Sequence, residues 1–176
     1  MNYRSGLLDN IHHWDVLTFR RFMASSMRTS LVEMAKTVSR SHNGHLYPLV
    51  PLVVAATGLV PPLEFLRLAL IAYAIERSIY FIAKNAFKRR RPANILPNYR
   101  SEIIASDEFS FPSGHSSAAF LMVTLLVLTF GPALMVLYLW SAMVAASRVI
   151  LGVHFPTDTM VGGLLGSAIA YLACLI

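Results

Sequence analysis

A chain of 176 residues is one domain long, and 56% of its residues are apolar while only 14% are charged. Soluble domains run at roughly 45–50% apolar and about 25% charged, so the composition excludes an ordinary soluble fold and points to an integral membrane protein. A single cysteine, Cys174, excludes an intramolecular disulfide and a thiolate metal centre, and a net charge of +6 clustered beside apolar runs points to anionic lipid or phosphate rather than nucleic acid.

Residues 1–6 lack the apolar stretch and small-residue cleavage site of a signal peptide. Between 6 and 40 the pattern is amphipathic: Ile11, Trp14, Leu17, Phe19 and Phe22 alternate with Asp9, Asp15, Arg20 and Arg21. Such a segment is expected to lie in the membrane interface with Trp14 at headgroup level, the alternative being a soluble cap. His42 and His45 stand three apart, but no carboxylate or thiol nearby completes a metal set, so they read as loop residues.

Apolar runs then follow at 46–60, 63–87, 116–130, 133–151 and 157–176. The expected architecture is an all-α integral membrane bundle of about five transmembrane helices, with 1–45 as the interfacial segment and 46–176 as the catalytic bundle of one domain. In the second run Glu64 and Arg67 are expected to pair at the interface, and Glu76 and Arg77 to find partners inside the bundle. Arg91-Pro92 stops that helix. The irregular stretch 93–111 is long enough to suggest a function. Gly131-Pro132 marks a turn. In the last run Gly162, Gly166 and Ala170 form a small-residue face for close helix packing.

Five spans bring the end of the second, the start of the third, the end of the fourth and the start of the fifth to one side. Each of these points carries polar residues. Lys84 and Arg91 are seven apart, so a continued helix would place both on one face, extended inward by Arg77. Arginine and lysine both suit phosphate oxygens. Pro112-Ser113-Gly114-His115 opens the third helix: Ser113 can cap it, Gly114 lets an anion approach, and His115 stands beside that anion. Arg148 closes the fourth helix, and His154 and Asp158 flank the start of the fifth, where Pro156 suits a first turn. Asp158 can accept from one nitrogen of His154 and leave the other free to attack.

Lys84-x6-Arg91-Pro92, Pro112-Ser113-Gly114-His115 and Ser147-Arg148-x5-His154-x3-Asp158 together resemble the three signature motifs of the type 2 phosphatidic acid phosphatase superfamily. That superfamily holds membrane lipid phosphate phosphatases and soluble vanadium haloperoxidases. The resemblance covers 84–158 and implies that His154 is the nucleophile of a phosphohistidine intermediate and that Asp158 orients it. It makes His115 general acid and then base, and Lys84, Arg91, Arg148 and the Ser113 and Gly114 amides the phosphate ligands. It implies no metal and no cofactor.

The expected function is hydrolysis of a membrane lipid phosphate or diphosphate, foremost polyprenyl (undecaprenyl) diphosphate. Phosphatidic acid, phosphatidylglycerol phosphate and lipid A are the alternative substrates, and 94–109, with Tyr99, Arg100, Glu102 and Asp107, is the candidate for headgroup selection. A haloperoxidase and a non-catalytic lipid-binding or transport protein are the competing classes; the apolar spans argue against the first. A bacterial inner membrane is the expected location. The N-terminal cations argue for a cytoplasmic site by the positive-inside rule, whereas bacterial proteins of the resembled type act on the outer face, and the extracytoplasmic side is the expectation.

Overall fold

The computed structural model describes residues 6–24, 28–41, 49–58 and 61–176. Its helices are α1 (Gly6–Met23), α2 (Arg28–Ser41), α3 (Leu49–Thr57), α4 (Pro62–Phe87), a single-turn α5 (Pro92–Ile95), α6 (Gly114–Phe130), α7 (Leu137–Ile150), entered through a 3-10 turn (Pro132–Val136), and α8 (Pro156–Ala173). Among the described residues, the sole extended pairing is an antiparallel bridge between Arg90 and Phe109. The all-α class expected from the apolar runs is the class observed. His42 and His45 lie outside the described residues.

Helix ends follow local chemistry. Pro62 opens α4 in the first turn, where a missing N–H leaves nothing unpaired. The helix ends at Phe87 because Lys88 turns left-handed (φ 45°) and its N–H bonds the Lys84 carbonyl at 3.0 Å. Arg91, directly before Pro92, is extended (φ −74°, ψ 159°). The continuous helical stripe expected from Lys84 to Arg91 is therefore broken, and the two cations meet by a chain reversal instead. Ser113 caps α6 by accepting the Ser116 N–H at 3.4 Å, and Gly131 (φ 98°) ends it at the expected turn.

α6 is the central helix, with α8, α7 and α4 around it. The α6–α8 contact depends on missing side chains. A Cβ on Gly166 would lie 2.0 Å from the Ser117 carbonyl oxygen, and one on Gly162 would lie 2.5 Å from that of Ser113, so the small-residue face does close the backbones together. Phe65, Ala72, Leu121, Leu125, Ile169 and Ala173 fill the core between α4, α6 and α8. Hydroxyls add cross-links: Tyr73 donates to the Ala118 carbonyl at 3.1 Å and Ser141 to that of Ala119 at 3.2 Å.

The outer faces carry exposed Leu70, Ile82, Leu139, Met143, Leu164 and Leu172, an apolar surface larger than soluble monomers usually show. By length and composition, Pro132–Ile150 is the helix able to cross a membrane among the described residues, while Gly114–Phe130 is apolar but shorter. The run expected as the first span is described as helix over only the nine residues of α3, about 14 Å against a hydrocarbon core of ~30 Å; Pro48, Gly58 and Pro61 bound it. Fully buried Glu76 pairs with Arg77 at 2.5 and 2.7 Å, as a membrane-depth ion should. Glu64 and Arg67 are exposed and form no ion pair among the described residues, contrary to the pairing expected of them.

The N-terminal segment departs most from expectation. It is two helices, and both pack on protein, α2 against α7 and α1 against α8. Phe19 is fully buried and meets Phe155 and Tyr99 edge-on at ring distances of 5.8 and 5.2 Å. Asp15, which interrupts the apolar pattern, is fully buried too. Trp14 remains exposed. An apolar helix face reads alike whether it will meet lipid or protein; here it covers the end of the bundle at which the polar loops gather.

Candidate active site

Lys84, near the end of α4, and Arg91, beyond the reversal, converge on one carboxylate. Lys84 Nζ donates to Asp107 Oδ1 and to the Phe109 carbonyl, both at 2.5 Å. Arg91 Nη2 donates to the same Asp107 oxygen, and Arg91 Nε to the Asp107 carbonyl at 3.0 Å. Tyr80 Oη also donates to Asp107, at 2.5 Å. Burial alone would raise the Asp107 carboxyl, but these hydrogen bonds and cations outweigh it and hold it down at about 2. Two buried cations and a hydroxyl thus surround an anion (Asp107) on the loop expected to choose the headgroup.

His154 lies in the turn between α7 and α8, where its N–H and that of Val153 donate to the Arg148 carbonyl at 3.3 and 3.2 Å. Gly152 (φ 75°) allows this turn, and the Tyr99 hydroxyl occupies the place its Cβ would take. The imidazole is almost wholly buried. Its Nε2 is 3.5 Å from Arg91 Nη1, and its Nδ1 is 3.8 Å from Asp158 Oδ2 with no hydrogen-bond partner. Burial pushes the imidazole down to about 4; Asp158 opposes the shift, and Arg91 and Arg148 reinforce it. At neutral pH His154 is uncharged, with Nε2 facing a cation and Nδ1 facing a carboxylate.

Asp158 is fixed by other partners. Its Oδ2 accepts the Phe155 N–H at 2.8 Å and its Oδ1 accepts from Arg89 Nη1 at 2.7 Å. Arg89 also donates to Thr157 Oγ1 at 2.8 Å and to Asp15 Oδ2 at 2.5 Å, and lies 4.6 Å over the Phe155 ring. Asp15 accepts the Thr157 N–H at 3.0 Å as well. This network ties α1 to the first turn of α8.

The α6 entrance joins from the third side. The Ser113 N–H donates to the Asp158 carbonyl at 3.0 Å, so this amide, expected to hold phosphate, is engaged in the frame. Ser113 is fully buried, and Gly114 packs so closely on Tyr80 that a Cβ would lie 2.7 Å from its ring. His115 and Arg148 line one 410 Å³ cavity with Lys36, Ser39 and Arg40. Buried Arg148 donates from Nη1 to Ser39 Oγ at 2.7 Å, while its Nε has no partner. Arg91 and Asp158 thus flank His154, the Ser113 amide joins the Asp158 carbonyl, and His115 shares its cavity with Arg148.

Sequence reasoning passed over Arg89, Asp15 and Ser39. Arg89 stands among Lys88, Arg90 and Arg91, and only the left-handed turn at Lys88 aims it at Asp158. Asp15 and Ser39 precede the motifs and reach them solely through tertiary packing. The one signal available was a carboxylate within an apolar helical pattern.

A family model described as the PAP2 superfamily matches residues 65–176. The chain belongs to the PAP2 superfamily. The curated undecaprenyl-diphosphatase of Sulfolobus acidocaldarius is 34% identical over 105 residues, 58% of this chain and 50% of that protein; the PAP2 chain spans about half the length of this relative. LpxE of Aquifex aeolicus superposes with a TM-score of 0.75 at 23% identity, over 90% of this chain and 93% of that one. A transmembrane PAP2-type phosphatidylglycerolphosphate phosphatase of Bacillus subtilis gives 0.72 at 22%, over 94% and 85%. At these identities the two structures establish a shared PAP2 fold. Lys84 to Asp158 fall inside the family match, whereas Asp15, Lys36, Ser39 and Arg40 fall before it.

Proposed function

We propose that this chain is a membrane lipid phosphatase that hydrolyses a lipid phosphate or diphosphate through a phosphohistidine, with 1–176 as a single catalytic domain. The observation that carries this reading is a buried neutral imidazole whose Nε2 faces Arg91 while its Nδ1 faces Asp158. Nε2 attacks phosphorus as the bond to the leaving oxygen breaks, and His115 protonates that oxygen. A water, giving its proton to His115, then breaks the P–N bond and releases phosphate. Lys84, Arg91 and Arg148 bind the phosphoryl oxygens and stabilise the transition state, with the Gly114 amide, one of the open donors of a helix start. Asp158 aims the nucleophile, and catalytic hydrogen bonds that are long at rest tighten around a bound substrate. Divalent metal has no part in this route.

Polyprenyl diphosphate is the favoured substrate, supported by the similarity to the Sulfolobus undecaprenyl-diphosphatase. Phosphatidic acid, phosphatidylglycerol phosphate and lipid A are the alternatives. The lipid keeps its tail among α4, α6, α7 and α8 of a bundle of about five transmembrane helices in a bacterial inner membrane, and brings its headgroup to the extracytoplasmic face.

The test is phosphate release from a lipid panel by the purified chain and by His154→Ala. The native chain is expected to turn over at least one lipid, and the variant to lose at least about a thousandfold while still binding it. Absence of turnover on every lipid, with binding retained, would identify a headgroup-binding protein instead.

A further inference from the structure

The cavity beside His115 and Arg148 has a wall the phosphatase motifs leave unused. Lys36 and Arg40 are one helical turn apart on α2 and face the same way. Between them Ser39 holds Arg148 at 2.7 Å, so this face of α2 is one side chain from the phosphoryl site. Among the described residues Lys36 makes a single ion pair, at 2.9 Å to largely exposed Glu33, a contact of small worth in water. Arg40 is exposed and makes no hydrogen bond or ion pair among the described residues. Glu102 is the one acidic residue of the cavity lining. Two cations on one side of a 410 Å³ cavity that also presents a histidine form a place for a second anion.

We propose that Lys36 and Arg40 form a second phosphate subsite, which holds the lipid-proximal phosphate of a diphosphate while the terminal phosphoryl group is transferred to His154. The proposal rests on the phosphatase reading above. It follows from which side of the reaction the cavity lies on. His115 donates to the leaving oxygen, and in a diphosphate that oxygen belongs to the second phosphate. When the bridging P–O bond breaks, its electron pair stays on the bridging oxygen of the lipid monophosphate, where the His115 proton neutralises it, so the product leaves with the negative charge its phosphate already carried. That standing charge lies beside Lys36 and Arg40, which hold the proximal phosphate without touching the transferred group. A lipid monophosphate has an alkoxide leaving group and no second anion, so it gains nothing from the two cations. The subsite is thereby a selector for diphosphates, and it gives the N-terminal cations a role other than orientation in the membrane.

The same phosphate chemistry could come from bilayer headgroups, and the experiment separates the sources. Binding of farnesyl methylenediphosphonate, which needs no turnover, is measured against farnesyl monophosphate for the native chain, Lys36→Ala/Arg40→Ala and the charge-preserving Lys36→Arg/Arg40→Lys. Each is held in nanodiscs of phosphatidylcholine alone or with phosphatidylglycerol, with thermal unfolding as the folding control. The alanine pair is expected to weaken the diphosphonate at least about tenfold and the monophosphate less than about threefold, in both nanodiscs, with affinity restored in the charge-preserving pair. Equal loss on both ligands, no loss, or a loss confined to phosphatidylglycerol nanodiscs would overturn the subsite. Parallel kcat/KM values on farnesyl diphosphate address the hydrolysis separately: a chain that binds as described but never turns over would refute the phosphatase reading and leave the subsite standing.

Discussion

Arg91 acts on both Asp107 and His154, lowering each, which keeps the carboxylate charged and the imidazole neutral. Asp107 is held down at about 2, below the ordinary 3.8, so it stays ionised throughout any working pH and is displaced from Lys84 and Arg91 by a competing anion rather than by a proton. Asp107→Asn removes that competitor. Inhibition by orthovanadate is expected to tighten by up to about tenfold, equivalent to about 1.4 kcal/mol, read as a lower inhibition constant; weaker inhibition would make Asp107 an organiser of the cations. His154 is shifted in the same direction, but here the lowered value favours the neutral form. Its imidazole is lowered to about 4 from an ordinary 6.5, so between these values the unfolded chain binds a proton that the folded one refuses. Stability from this group is complete above about pH 6.5 and falls as pH drops toward 4. The neutral nucleophile persists over the same window, and the acid limb of kcat/KM is expected near 4. An imidazole of His154 that titrates near 6.5, read by NMR of ring-labelled protein, would contradict the burial assigned to it.

At the scale of helices, the α6–α8 contact sets the geometry, since Ser113 and Asp158 open those two helices and bond each other. Gly166→Ala places a methyl 2.0 Å from a backbone carbonyl that no rotamer can move. Overpacking of this kind costs about 1–3 kcal/mol, expected as a lower unfolding temperature in detergent, with the outward-facing Ala168→Val as a near-neutral control. An unchanged temperature for Gly166→Ala would mean that the helices lie further apart. This contact was legible in the spacing of Gly162, Gly166 and Ala170, as were the helix starts at Ser113 and Pro156. The course of α4 was less so: the seven-residue interval between Lys84 and Arg91 suits a helix, and the left-handed Lys88 replaced it with a reversal. The roles of α1 and α2 were hidden for a plainer reason. Periodicity marks an apolar face but not what covers it, so the Asp15–Arg89 and Ser39–Arg148 contacts, across 74 and 109 positions, emerge only when the bundle is assembled.

Over the whole molecule, polar groups gather at one end and exposed apolar side chains cover the flanks. The N-terminal cations belong to the polar end, because α1 and α2 dock there; this weakens the positive-inside argument for a cytoplasmic site, since Lys36 and Arg40 line the site's own cavity. A Cys174→Ser chain carrying a new cysteine at Ser101 is expected to react with an impermeant thiol reagent applied to intact cells; labelling only after lysis would place the site inside. The central claim concerns one nitrogen. The native chain and His115→Ala are given farnesyl diphosphate labelled in its terminal phosphate, quenched in alkali (which preserves phosphohistidine) and mapped by mass spectrometry. The label is expected on His154, and in greater amount in His115→Ala, where water is no longer activated. Continued turnover with no label on His154, or with label on another residue, would contradict the account.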